Sequence, residues 1–163
     1  MRAAVEKVLA IDELRGRLFA RGGRVVLANG LFDLVHVGHA RYFADARSRG
    51  DVLVVALNDD ASAAAFKGPR RPLLPLAERL AVVAAFRAVD FVTWFGEPTA
   101  AALLRALRPA VHAKGTDYRP DSLPADERVT HVELGIPVAI CGDPKSHATS
   151  DLIRQVLAHA SDG

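Results

Sequence analysis

The residues with the most chemistry in them lie in one short stretch, Asn29-Gly30-Leu31-Phe32-Asp33-Leu34-Val35-His36-Val37-Gly38-His39. It holds two imidazoles three residues apart, a carboxylate and two glycines, directly after the apolar run Val25-Val26-Leu27. That run reads as a buried strand, and Ala40 to Arg47 reads as the body of a helix. The first turn of a helix has backbone N–H groups without intrahelical partners and a partial positive charge. It therefore attracts anions, phosphate above all. His36 and His39 project from one side of that turn, and each can donate a hydrogen bond to a phosphate oxygen. Gly38 removes a side chain where phosphates must come close to the backbone. Zinc is the competing use of two histidines, but the helical zinc pair is spaced by four and brings a glutamate. Neither feature is present, so the expectation is phosphate chemistry with no metal held by the protein.

Such a turn needs a strand to end it and a helix to start it, and the chain repeats that alternation. Strands are expected at 25–27, 52–57, 91–95, 110–113 and 137–141, all short apolar runs of strand length. Helices are expected at 76–88, 99–107, 126–134 and 149–159, the last with Leu152, Ile153, Val156 and Leu157 as its stripe. Residues 3–20 read as a further helix with a break near Ile11-Asp12, Leu14 and Leu18 facing inward, and Gly22-Gly23 ending it. Lys67-Gly-Pro-Arg-Arg-Pro-Leu-Leu-Pro75 holds three prolines and a glycine and reads as a basic loop. Strand and helix in turn predict a three-layer α/β domain with a mainly parallel five-stranded sheet. Ligands of such sheets sit beyond the carboxyl ends of the strands, where strand order reverses. Residues 29–39, 58–60, 114–118 and 143–150 carry polar chemistry at those ends. No Gly-x-Gly-x-x-Gly and no Walker-type loop occurs, which disfavours dinucleotide redox chemistry and ATP hydrolysis of that type.

Composition sets outer bounds. The chain has 163 residues, half of them hydrophobic and a quarter charged. This predicts one soluble globular domain over 1–163, with a helical N-terminal segment at 1–22 and a catalytic core at 23–159. A net charge of +2 is too small to argue for nucleic acid or an anionic membrane as partner. Cys141 is the single cysteine, so no intrachain disulfide forms, and a reducing cytoplasm fits. Glu6, Lys7, Asp12 and Glu13 interrupt any signal-like apolar core at the N-terminus, and no run of about 18 apolar residues exists to span a membrane.

Asn29-Gly30-Leu31-Phe32-Asp33 followed by His36-Val37-Gly38-His39 resembles the signature of the cytidylyltransferase-like nucleotidyltransferases. Within that superfamily the chain is most similar to the D-glycero-D-manno-heptose 1-phosphate adenylyltransferases, either as separate enzymes or as the second domain of a bifunctional heptose protein. The matching elements are that stretch, Asn58-Asp59-Asp60-Ala61-Ser62, Lys67-Gly68 with Arg71-Pro72, Ala88-Val89-Asp90, Lys114-Gly115-Thr116-Asp117-Tyr118 and the Thr149-Ser150 helix start. Leu31 stands where the heptose enzymes usually carry cysteine, and Ala148 where a serine usually opens a Ser-Thr-Thr run. Asp143 to His147 lacks the Arg-Thr-Glu-Gly pattern of glycerol-3-phosphate cytidylyltransferases, which favours ATP over CTP.

The resemblance implies a Rossmann-like doubly wound fold and transfer of AMP from ATP to a sugar 1-phosphate, with release of pyrophosphate. It implies His36, His39 and Lys67 as catalytic residues, the lysine folding over the triphosphate. It implies Asn29, Gly30, Leu31, Phe32, Gly38, Lys114, Gly115, Asp117, Thr149 and Ser150 as nucleotide-binding. Asp33, Asn58, Asp60 and Arg79 are implied as substrate-binding, Arg79 through the Pro75-Leu-Ala-Glu-Arg79 element. Mg²⁺ is expected to bridge the ATP phosphates, and a homodimer is one assembly to test. The place implied is ADP-heptose and lipopolysaccharide biosynthesis. Two other readings remain open at this point: a CTP-using glycerol-3-phosphate enzyme, and a nucleotide-binding regulatory domain without turnover.

Overall fold

The structure is a computed structural model and describes residues 6–119, 122–143, 153–156 and 158–159. Five strands form one sheet: β1 (Val25–Gly30), β2 (Val52–Asn58), β3 (Phe91–Phe95), β4 (Val111–Gly115) and β5 (Val138–Cys141). Their order is β3-β2-β1-β4-β5, and every pairing is parallel. The strands are apolar on both faces because helices cover both. On one face Val26, Ala28, Leu53, Val55 and Leu57 pack with Phe43, Leu80 and Val83. These last three come from α2 (Val37–Ser48) and α4 (Leu76–Ala84). On the other face Leu27, Val52, Val54 and Ala56 pack with Leu14, Leu18, Leu103 and Leu104. These come from α1 (Ile11–Arg21) and α5 (Ala101–Leu107). Alternate strand residues thus feed two cores, giving the three-layer doubly wound architecture expected.

Two short elements complete the part of the fold that matters for the site. After β2, Asp59 caps α3 (Asp60–Lys67) by accepting from the Ser62 N–H at 2.7 Å. After β4, α6 (Ala125–Leu134) packs against α5 and ends at Gly135 in the left-handed conformation. Chain order reverses between β1 and β4, so the carboxyl ends of these two strands flank the switch point. None of the helices in the described residues is long and apolar enough to cross a membrane.

Several boundaries differ from the sequence-based expectation. Residues 6–10 are not helical. They run beside the edge strand instead, where Val92 N donates to Lys7 O at 2.8 Å and Leu9 N to Val92 O at 2.9 Å. Unpaired edge groups of β3 outcompete a marginal helix there. Helix α1 starts at Ile11 with no side-chain cap, so Asp12 lies within its first turn. Lys67 closes α3 and does not open the basic loop. Lys114 and Gly115 belong to β4 and not to the loop after it. Helix α4 stops at Ala84 and not at Ala88. Residues 153–156 and 158–159 are helical, as expected, while Thr149 and Ser150 lie outside the described residues.

Candidate active site

A cavity of about 750 Å³ opens over the carboxyl ends of the strands. Its lining takes in Asn29 to Asp33, His36, Gly38 and His39 from the first turn and Asn58 from the end of β2. Lys67 and Arg71 lie on its rim, and Lys114, Gly115 and Asp117 stand at the end of β4. Chain segments far apart in sequence meet here because a parallel sheet brings all its strand ends to one edge.

The two histidines are held by the helix they begin. His36 is the N-cap of α2, and its Nδ1 accepts from the Gly38 N–H at 3.1 Å. His39 Nδ1 accepts from the His36 N–H at 3.2 Å. A backbone N–H can only donate, so both Nδ1 atoms are lone pairs. In each neutral ring the proton therefore sits on Nε2. The reciprocal cap thus selects the tautomer that offers a donor at Nε2, next to the positive end of the helix. The rings lie together, with centroids 4.1 Å apart.

Gly38 is needed for a reason other than ligand approach. A Cβ on it would meet His36 Cε1 at 2.8 Å and Nδ1 at 3.0 Å. The imidazole of His36 occupies the space that a side chain would take. Gly38→Ala is therefore expected to move the His36 ring and lower kcat about 10-fold or more. The melting temperature should change little, because alanine is the better helix former. Steady-state kinetics beside a thermal melt checks this, and an active variant with an unmoved melt would refute it.

Phe32 holds the turn from below. Its φ of 49° is left-handed, which costs a residue with a Cβ about 1 kcal/mol. Packing offsets this: the ring is 7% exposed, lies 5.1 Å from the Phe43 ring and meets the His39 ring edge-on at 5.5 Å. Strain kept where it sets a histidine's position belongs to a functional turn.

The residues expected to bind substrate divide in two. Asn58 lines the cavity. Asp33 lines it too, but its oxygens accept from Arg71 Nη1 at 2.7 Å, Leu73 N at 2.8 Å and Leu74 N at 3.1 Å. It fastens the basic loop to the first turn. Arg79 and Asp60 are not in the cavity lining. Arg79 is fully buried and donates to the carbonyls of Leu31, Leu74 and Asn58 at 2.7, 3.0 and 2.9 Å and to Asp60 Oδ1 at 2.7 Å. That hydrogen bond holds the Asp60 carboxyl below the usual carboxylate range. Arg79 therefore ties the ends of β1 and β2 to the loop, where the resemblance of Pro75-Leu-Ala-Glu-Arg79 implied substrate binding. Arg79→Leu should cost about 3 kcal/mol or more, because three carbonyls and the Asp60 carboxylate lose a buried cationic donor together. Urea unfolding measures it, and a loss under about 1 kcal/mol, the scale of one ordinary hydrogen bond, would sink this assignment.

Lys114 was expected here, but sequence reasoning passed over the residues around it, Glu127, Tyr42, His112 and His131. Lys114 Nζ, at the end of β4, lies 2.9 Å from Asn29 Oδ1 and 3.3 Å from Glu127 Oε2. Burial pulls its pKa down, and Glu127 works against that shift. Glu127, 3% exposed, also accepts from the Ala100 N–H at 2.8 Å. Tyr42 donates to the Ala113 carbonyl at 2.9 Å, and burial pushes its phenol well above the ordinary range. Below them His112, Glu127 and His131 place ring nitrogens and a carboxylate oxygen within 4.8 Å of one another. A histidine inside the apolar run Ala110 to Ala113 was the one available signal for this group.

The comparisons agree with this geometry. The family model described as Cytidylyltransferase-like matches residues 27–155. The chain belongs to the cytidylyltransferase-like family. By class it is a nucleotidyltransferase. It is 46% identical over 153 residues to the "Bifunctional protein HldE" of Chromohalobacter salexigens, covering 94% of this chain and 32% of that protein. It is 45% identical over 137 residues to the protein of the same name from Halorhodospira halophila, covering 84% of this chain and 28% of the other. The chain thus spans about a third of the length of these relatives. Among solved structures it is similar to the lipopolysaccharide core biosynthesis protein of Thermoplasma volcanium. The TM-score is 0.60 and the identity 28%, over 73% of this chain and 94% of that one. Pantothenate synthetase from Thermus thermophilus shares the fold at a TM-score of 0.58 and 18% identity, over 87% of this chain and 63% of that one.

Proposed function

We propose that the chain transfers AMP from ATP to a sugar 1-phosphate, D-glycero-D-manno-heptose 1-phosphate, giving an ADP-sugar and pyrophosphate. One observation carries the transfer chemistry: two Nε2–H donors at the positive end of α2, at the switch point of a parallel sheet. A sugar-phosphate oxygen attacks the α-phosphorus of ATP. The bond from that phosphorus to the bridging oxygen breaks, and the electron pair leaves with pyrophosphate. The attacking phosphate is already ionised near neutral pH, so no general base is required. The protein supplies position and positive charge for the transition state. His36 and His39 hold the ATP phosphates, and the α2 N-terminus adds backbone donors. Lys67, exposed on the rim with its ammonium 4.6 Å from the Phe66 ring, folds over the leaving group.

Magnesium supplies charge neutralisation on the phosphates when bound. The carboxylates at the cavity favour an ion that arrives with the nucleotide and keeps several waters. Asp33 is committed to Arg71 and backbone N–H groups, Glu127 to Lys114 and Ala100, and Asp143 to Arg41 at 3.1 Å. They form no cage.

The heptose is supported by the motif resemblance and by similarity to relatives named as a bifunctional protein and as a lipopolysaccharide core biosynthesis protein. A pyrophosphate-release screen tests the reading, with ATP and CTP each offered against a panel of sugar and polyol phosphates. Release from ATP with a heptose 1-phosphate is the expected result. Nucleotide binding without release under any combination would identify a regulatory domain instead.

A further inference from the structure

At the end of β1 the Asn29 side chain meets two donors on one atom. Lys114 Nζ lies 2.9 Å from its Oδ1, and His112 Nε2 lies 2.8 Å from the same oxygen. An ammonium only donates, so the Asn29 atom facing it must be the carbonyl oxygen and not the amide nitrogen. His112 Nε2 then carries a hydrogen, and Nδ1 of that ring is a lone pair. This lone pair faces His131 Nε2 at 3.0 Å. His131 Nδ1 lies 2.8 Å from the carbonyl oxygen of Ile136, so it carries a hydrogen too. Three hydrogen bonds in a row place three protons on two rings, one more than two neutral imidazoles hold. An oxygen of the Glu127 carboxylate lies within 4.8 Å of one nitrogen of each ring and puts a negative charge in the same buried group. All three residues are buried. Burial first, then the charges of Lys114 and His131, hold His112 well below the ordinary histidine range, in keeping with its place as the neutral ring.

A metal fits this group less well than a proton. The two nitrogens are closer than the roughly 3.3 Å they would keep on tetrahedral zinc, whose bonds to nitrogen are about 2.0–2.1 Å. The ammonium of Lys114 also faces the carboxylate that would have to bind the metal.

The consequence falls on the cavity. Asn29 lines it, and its Nδ2 has no partner among the described residues. We infer that His112 and His131, anchored on the Ile136 carbonyl, are a positioning relay that locks the Asn29 amide with Nδ2 turned into the cavity, as a donor to an oxygen of the bound nucleotide. The inference deepens the nucleotide reading of the cavity and rests on it. With Lys114, the relay holds Oδ1 from two sides, so the amide need not be ordered when the ligand arrives.

Two measurements test it. Ring-nitrogen NMR on histidine-labelled wild-type protein reads the tautomers without any ligand. His112 is expected as the Nε2–H form with an unprotonated Nδ1; an Nδ1–H form, or zinc bound by both rings in the purified protein, overturns the relay. The second measurement is a double-mutant cycle on Mg·ATP affinity by calorimetry. His112→Phe should weaken binding about 10-fold in the wild-type background and not at all in Asn29→Ala, because the group it positions is gone. Losses that simply add, or no loss in His112→Phe, refute it. Should His112→Phe fail to fold, His131→Gln and His131→Leu replace it. The glutamine can still donate to His112 Nδ1 and should retain affinity that the leucine loses, whereas a purely space-filling role treats both alike. Wild-type protein that binds neither ATP nor CTP refutes the nucleotide reading instead, and the tautomers still decide the relay.

Discussion

Replacing His39 with alanine is expected to lower kcat by about 10²-fold or more while ATP affinity changes far less. That is the scale on which removing one preorganised donor acts. The donor in question is Nε2–H, and the structure shows why it is preorganised. The His36 N–H occupies Nδ1 at 3.2 Å, which fixes the tautomer, and the Phe32 ring meets the imidazole edge-on. No reorientation is needed as charge builds on the phosphates, so the interaction grows towards the transition state. The substitution also removes an acceptor from the first turn of α2, worth about 1 kcal/mol. That loss should appear as a small drop in melting temperature and not as a loss of folded enzyme. A variant whose ATP affinity collapses while kcat at saturation stays unchanged would place His39 in ground-state binding alone.

Much of this was legible in the sequence, for physical reasons that also explain what was not. A fully covered parallel strand has to be apolar on both faces, so runs such as Val52 to Leu57 declare themselves. The His36–His39 turn declares itself because a phosphate site needs donors, small residues and a helix start within one short segment. The role of Arg79 did not: the Pro75 to Arg79 element implied substrate binding, and only the tertiary structure shows three carbonyls converging on the guanidinium. The His112–His131 pair joins residues 19 apart on a strand and a helix, and no local pattern forecasts that contact. The segment 6–10 has local helical character, but backbone groups on the edge of β3 decide its conformation. Local chemistry was thus readable where one element carries it, and hidden where several elements share it.

Substrate choice extends the argument from position to selectivity. Under the proposed reading, a heptose 1-phosphate should exceed glycerol 3-phosphate in kcat/KM by at least about 10²-fold, and ATP should exceed CTP. The cavity, at about 750 Å³, lies within the usual range of small-molecule sites, roughly 300–1,000 Å³, and so has room for more than a triol phosphate. Its lining includes polar groups from other strand ends, with Asn58 at the end of β2 and Thr116 and Asp117 after β4. A polar wall desolvated by a substrate that leaves its groups unpaired costs far more than a lost apolar contact, so a hydroxyl-poor acceptor is penalised steeply. Asp33 and Asp60, expected to share this task, are tied to Arg71 and Arg79. Of the expected substrate-binding residues, Asn58 lines the cavity without such an ion pair, and Asn58→Ala should narrow the preference for the heptose while leaving turnover of glycerol 3-phosphate nearly unchanged. The comparison needs only kcat/KM for both acceptors with both nucleotides. Robust turnover of CTP with glycerol 3-phosphate, and none of ATP with the heptose, would overturn the heptose assignment and leave the nucleotidyltransferase class standing.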